Sequence, residues 1–220
     1  MTGNTHLSLG VAAGAFTVAA QGLATDVGAC VTAVVVASIG SILPDIDEDG
    51  STLNNLLFRS IKYRSIALAI LGAAAVLLGI LKGLALWVVL AGMYAMAVAF
   101  IPHRSFTHSL LSLLLVSGIT YMAEPSYMWP LAAGYLSHLL ADGITAGGIP
   151  LFWPWKKRMG TKNIGFSIRS GDIVDKVTGK VAMYGGSIIL LYLLFSGASY
   201  DPLLEALRDP VGAFRYMFRS

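Results

Sequence analysis

The sequence predicts an all-α, polytopic integral membrane bundle of six or seven helices, and three observations carry that prediction. Hydrophobic residues fill 56% of the 220 positions before glycine is counted, and charged residues only 12%. Soluble domains average about 45–50% apolar with glycine included and about 25% charged. Mean hydropathy is +0.72. The apolar residues are also gathered into long runs between short polar or Pro/Gly-containing stretches, as in helices whose outer surface meets hydrocarbon.

Seven apolar runs cover 7–24, 27–43, 65–81, 84–101, 109–123, 127–141 and 182–198. Asn4 or Thr5 is placed to cap the first, Pro44 to close the second, Pro102 to end the fourth, and Ser105 or Thr107 to cap the fifth. Glu124-Pro125 reads as a tight turn before the sixth. Several runs, the fifth and sixth above all, fall short of the ~20 residues of a full span, so whether those two cross stays open. The polar stretch 143–180 sets Pro150, Trp153, Pro154 and Trp155 ahead of Lys156, Lys157 and Arg158, which suits a loop at the membrane interface. A membrane domain is expected over 1–198. The remainder, 199–220, interleaves Leu203, Leu207, Phe214 and Phe218 with charge, as an amphipathic tail broken at Pro210 would. The start lacks the positive region of a secretory signal, so the first run is expected to stay as a helix. Cys30 has no second cysteine to pair with and lies inside an apolar run, which excludes an internal disulfide and a thiolate metal site.

Alternating crossings put the start of the chain and the stretches 44–64, 102–108 and 142–180 on one side. Eleven of the 15 Lys and Arg then fall on that side, which the positive-inside rule makes cytoplasmic. The basic pI near 9.0 thus reads as a topology signal and as contact with anionic lipid headgroups rather than nucleic acid.

All four histidines, His6, His103, His108 and His138, sit at run ends on that same side. Asp142 and the acidic run 45–49 join them there, with Asp45 and Asp47 alternating just past Pro44. Imidazoles and carboxylates beside hydrocarbon are costly unless paired or coordinated, so their gathering at one membrane face points to a cation or a functional pathway. His138 and Asp142 are four residues apart and share a helix face, as two ligands of one metal or a ligand and its orienting carboxylate should. His103 and His108, five apart, do not; one belongs to the loop and the other to the first turn of the next helix. Arg104 between them has the planar fork that matches a phosphate, and it serves equally as a positive-inside anchor. Ser105 and Thr107 suit caps better than nucleophiles.

A His/Asp set without thiolate fits zinc first, then manganese or iron, and more than four candidates can serve one or two divalent ions. Two-metal sites commonly hydrolyse phosphoesters or amides. At a cytoplasmic membrane face, the substrate that arrives most naturally is a membrane lipid or lipid-linked molecule with its phosphate at headgroup level.

Five segments together resemble the family of membrane-bound, metal-dependent hydrolases named after the bacterial inner-membrane protein YdjM. They are Thr5-His6, Leu43-Pro44-Asp45-Ile46-Asp47, the block from His103 to Ser109, the block from Gly134 to Asp142, and Pro154 with Ser167 to Asp175. The likeness covers about residues 5–178, and the His103 to Ser109 block with the His138/Asp142 pair is its specific part. It implies a multi-helix inner-membrane protein with a divalent metal site built from His6, Asp45, Asp47, His103, His108, His138 and Asp142. It also implies similarity to zinc-dependent phospholipase C, which likewise places a His-x-x-x-Asp pair on a helix. One departure is Asp175, where relatives more often carry Glu; the shorter side chain leaves its reach to the site in question.

The leading expectation is therefore a metal-dependent hydrolase of a lipid phosphoester. Arg104 steadies the phosphate, and Asp45, Asp47 or Asp142 acts as base or orienter. A divalent-cation transporter is the first alternative, although the runs hold almost no ionisable residue at mid-depth. A non-catalytic scaffold with structural metal is the second. The small-residue spacings Gly10/Gly14 and Gly79/Gly83 allow close helix packing within or between chains and leave the oligomeric state unknown.

Overall fold

The computed structural model of the chain describes residues 1–47, 64–102, 104–161 and 168–197, with only the backbone described at Asp47 and Arg64. The described residues form seven α-helices: α1 Gly3–Gln21, α2 Val27–Ile42, α3 Arg64–Lys82, α4 Leu86–Phe100, α5 Leu110–Ala123, α6 Pro125–Gly143 and α7 Ile173–Gly197. No strand occurs among them. Two isolated bridges, Thr145 with Ile168 and Ile149 with Met159, tie down the polar stretch after α6. The tail 199–220 lies outside the described residues.

The expected elements are present, with altered ends. Thr2 is the N-cap of α1, so Asn4 and Thr5 lie inside the helix rather than capping it. The reason is tertiary: Thr2 N–H donates to Asp175 Oδ2 at 3.0 Å, which holds the helix start against α7. Ser109, not Ser105 or Thr107, caps α5, its hydroxyl accepting from Ser112 N–H at 3.2 Å. The other two hydroxyls are engaged elsewhere, Ser105 with the Pro102 carbonyl and Thr107 with His108 Nδ1 at 3.0 Å. Pro44 and Pro102 follow the ends of α2 and α4, and Glu124-Pro125 starts α6, with Glu124 as N-cap. The last helix begins at Ile173 rather than 182. Asp172 caps it, Oδ1 accepting from Asp175 N–H at 2.9 Å, and Asp175, Lys176 and Lys180 break the apolar run that the first turns would otherwise show.

Packing explains the glycines and serines of the central helices. α1, α2 and α6 contact one another, α7 lies on α1, α5 lies on α6, and the α3–α4 pair joins through α5. A Cβ on Gly134 of α6 would run into the Ala37 carbonyl of α2, so these helices meet backbone to backbone. Gly10 and Gly14 approach Ser38, Ser41 and Val34 of α2, which assigns that small-residue pair to contact within the chain. Cys30 is buried beside Val18 and Ala33, and its thiol donates to the Leu23 carbonyl at 3.1 Å.

The outer faces are apolar. Phe16, Ile80, Phe100 and Ile188 stand exposed, as side chains against lipid do and a soluble surface does not tolerate in such number. Stretches Val27–Ile46, Ser65–Lys82 and Ile173–Ser196 are long and apolar enough to cross a membrane. α4 and α5 are shorter apolar helices; the 14 residues of α5 rise about 21 Å against a hydrocarbon core of about 30 Å. Central α1 and α6 are each 19 residues long and carry the buried histidines His6 and His138.

Candidate metal centre

Successive helices reverse direction, so the starts of α1, α5 and α7 and the ends of α2 and α6 gather at one end of the bundle. His6 is in the first turn of α1, and Asp45 follows α2 in the 3₁₀ turn Leu43–Asp47. His108 immediately precedes Ser109, the cap of α5, and so lies outside the helix in which the sequence placed it. His138 and Asp142 share one face in the last turns of α6.

These side chains converge. His108 Nε2 lies 3.2 Å from His138 Nε2 and 3.3 Å from Asp45 Oδ1. Asp45 Oδ1 is 3.6 Å from His138 Nε2, and Asp142 Oδ2 is 3.7 and 3.9 Å from the Nε2 atoms of His108 and His138. His6 Nε2 stands 3.2 Å from Asp142 Oδ1, and its ring stacks on that of His138 with centroids 3.7 Å apart. The Met1 amino group donates to Asp142 Oδ1. His6, His108 and His138 are fully buried, and Asp142 nearly so.

The arrangement suits a cation on three counts. His138 Nδ1 is 2.7 Å from the Ser41 carbonyl; a carbonyl only accepts, so the proton sits on Nδ1 and the neutral ring presents a lone pair at Nε2. That lone pair faces a second imidazole nitrogen and two carboxylates, a set of electron-pair donors suited to a cation among them. Zinc–nitrogen bonds of about 2.0–2.1 Å in tetrahedral geometry separate ligand atoms by about 3.3 Å, and the spacings above lie close to that value. Asp45 Oδ1 and both ring nitrogens of His6, Nε2 among them, are buried without a hydrogen-bond partner, as atoms kept for a ligand are. Two overlapping sets, His6/Asp45/His138 and His108/His138/Asp142, can each hold a metal ion.

Arg104 rims this cluster. Its Nη2 lies 3.5 Å from Asp142 Oδ2, and its buried Nε has no hydrogen-bond partner. The backbone there is left-handed, φ 54°, a conformation that costs a non-glycine residue on the order of 1 kcal/mol or more and clusters at functional sites. Arg158 braces the turn by donating to the Arg104 carbonyl at 3.4 Å.

Among the residues expected from sequence, His6, Asp45, His108, His138, Asp142 and Arg104 are brought together. His103 and the side chain of Asp47 lie outside the described residues. Asp175 does not join the cluster through any described contact. Its Oδ2 accepts from Thr2 and Gly171 N–H, and it thereby fixes the start of α1 next to His6.

Sequence reading missed a supporting set. Tyr135 donates its hydroxyl to the Thr107 carbonyl and lies 2.7 Å from Ser112 Oγ, which is 2.8 Å from Tyr94 O–H. Thr107 in turn holds His108 Nδ1. The available signal was weak: Ser112 and Tyr135 are polar residues within largely apolar helices, and such residues need a partner there, but Ser117, Thr120 and Ser137 share that description.

A family model described as YdjM inner membrane protein matches residues 1–203. The protein named Inner membrane protein YdjM of Escherichia coli (strain K12) is 39% identical over 66 residues, covering 26% of this chain and 34% of that protein. Its namesake in Shigella flexneri matches equally. A Bacillus subtilis (strain 168) protein named Uncharacterized protein YvsG is 30% identical over 100 residues, 44% of this chain and 60% of its own length. The chain thus spans about a third of the length of the two YdjM relatives. No solved structure matches.

Proposed function

The chain belongs to the YdjM inner membrane protein family, and from that premise we propose that it is a metal-dependent hydrolase of a phosphoester in a phospholipid or lipid-linked molecule. The reaction takes place at the cytoplasmic membrane face, where the basic residues meet anionic headgroups. The observation that carries the reading is the convergence of three buried histidines and two aspartates, from four segments of the chain, beside an arginine whose Nε is unengaged. His6, His108 and His138 through Nε2, with Asp45 and Asp142, hold one or two ions, zinc first and manganese or iron next; His103 and Asp47 are proposed as further ligands.

A divalent ion supplies a water of lowered pKa and neutralises charge building at phosphorus. The protein does the rest. Arg104 offers its free guanidinium edge to phosphate oxygens, while Asp142 orients that guanidinium from 3.5 Å. Asp47 or Asp142 takes the proton of the attacking water. Ser41 keeps His138 in the tautomer that presents Nε2.

Elemental mass spectrometry on detergent-purified chain, paired with hydrolysis assays on phospholipids and on water-soluble phosphoesters, tests this. The expected result is about one or two ions per chain, lost in His138→Ala. With metal retained, Arg104→Ala lowers turnover by about a hundredfold or more. A wild type that binds no zinc, manganese or iron when supplied with them overturns the reading. Stoichiometric metal without turnover of any phosphoester overturns the enzyme and leaves a metal-binding scaffold, or a transporter if metal enters sealed vesicles.

A further inference from the structure

Among the described residues α4 and α5 touch far less than α3 and α4 do, and a cleft of ≈ 650 Å³ lies between them. Leu90, Met93 and Ala97 form one wall, and Leu114, Gly118 and Met122 the other. Tyr94 also lines the cleft, but its hydroxyl is turned to Ser112, so the wall it offers is aromatic carbon. Phe106 belongs to the lining and is itself buried. It stands two residues before His108 in the turn that brings that imidazole to the metal centre. From Leu114 to Met122 the cleft follows α5 for about 12 Å.

We infer that this cleft is an acyl-chain subsite, receiving one tail of a phospholipid whose phosphate lies at the metal centre. The inference rests on the lipid-phosphoester reading above and adds where the substrate's tail goes. Proximity selects the occupant: Phe106 lines the cleft and stands two residues from His108, so a molecule with a phosphate head and a polymethylene tail is the one whose two parts suit the two neighbouring places. Flexible Met93 and Met122 adapt to a chain of variable shape. Gly118 leaves the slot open, since even a Cβ there meets nothing within 4 Å, and a larger side chain at this position projects into that space.

The test uses the metal-loaded full chain in phosphatidylcholine vesicles containing trace phosphatidylethanolamine, phosphatidylglycerol or phosphatidic acid with a diazirine at the tail end, one probe at a time. Cross-linked peptides are mapped by mass spectrometry. For at least one probe, labelling is expected to concentrate at 90–97 and 114–122 and to be displaced by excess of the same unlabelled lipid. It should fall by about tenfold or more in Gly118→Trp, and in Ala97→Phe from the opposite wall, at unchanged metal content. Labelling spread evenly over the outward faces of α3 and α7, labelling that unlabelled lipid does not displace, or labelling unchanged in both variants overturns the subsite. So do cross-links showing a second copy seated on α4 and α5. A wild type that labels saturably in the cleft but hydrolyses no phosphoester fails the hydrolase reading alone. One that hydrolyses a water-soluble phosphoester without saturable labelling fails the subsite alone.

Discussion

His138 illustrates how little freedom the individual residues of the centre retain. Its Nδ1–H is taken by Ser41, its face is covered by His6, and its edge meets His108, so ring orientation and tautomer are set before any ligand arrives. Asp172 shows a different residue-scale effect, outside the membrane. Its carboxylate accepts from the backbone N–H of Asp175 and of Arg169, and these bonds, Asp175 first, hold its pKa below the ordinary aspartate value. A carboxyl with a depressed folded pKa stabilises the fold above the unfolded value, about pH 4, and loses that contribution as pH falls through the folded one. Thermal melts of wild type and Asp172→Asn are therefore expected to differ most at neutral pH and to converge toward pH 3. A gap independent of pH would show that the caps do not act through charge.

At the scale of elements, α5 and α6 are joined by hydroxyls. Tyr135 links Ser112 to the Thr107 carbonyl, and Thr107 is the residue that holds His108. Tyr135→Phe keeps the ring and removes only this link. Metal affinity is expected to fall by up to about tenfold, the low end of the range for a ligand's direct outer partner, since Tyr135 acts one step further out through Thr107, with helical content unchanged by circular dichroism. Competition with a fluorescent chelator reads the affinity. An unchanged affinity with a lowered melting temperature would reduce Tyr135 to a packing role. The seven runs were legible because membrane helices advertise themselves through length and apolarity. The start of α7 was not, because Asp175, Lys176 and Lys180 turn to partners and solvent in a way that composition does not reveal. Ser105 and Thr107 looked like caps for the same reason that Ser109 is one: all three are hydroxyl residues ahead of an apolar run, and only the tertiary contacts choose among them.

Across the whole molecule, the centre joins α1, the turn after α2, the turn before α5, and α6. A ligand that binds only this assembled state stabilises it by about 2.7 kcal/mol at a hundred times its dissociation constant. Added zinc is thus expected to raise the melting temperature of the metal-free protein by about 5 °C or more, and His6→Ala, His138→Ala and chelator to abolish the rise. A zinc-induced shift that survives in both variants would place the binding elsewhere. The histidines and aspartates were legible as a group because all lie at helix ends on one side. Their pairwise geometry was not, since it depends on how closely Gly134 lets α6 approach α2.

The same placement at helix ends bears on how the protein is made. During synthesis α1 is made long before α6 exists, so His6 must wait for Asp142 across more than half the chain. At mid-membrane a waiting imidazole or carboxylate would oppose insertion of its own helix. At the water boundary it stays hydrated until its partners arrive. The candidate ligands therefore burden no helix at its middle, and the site is assembled afterwards, when the helices come together.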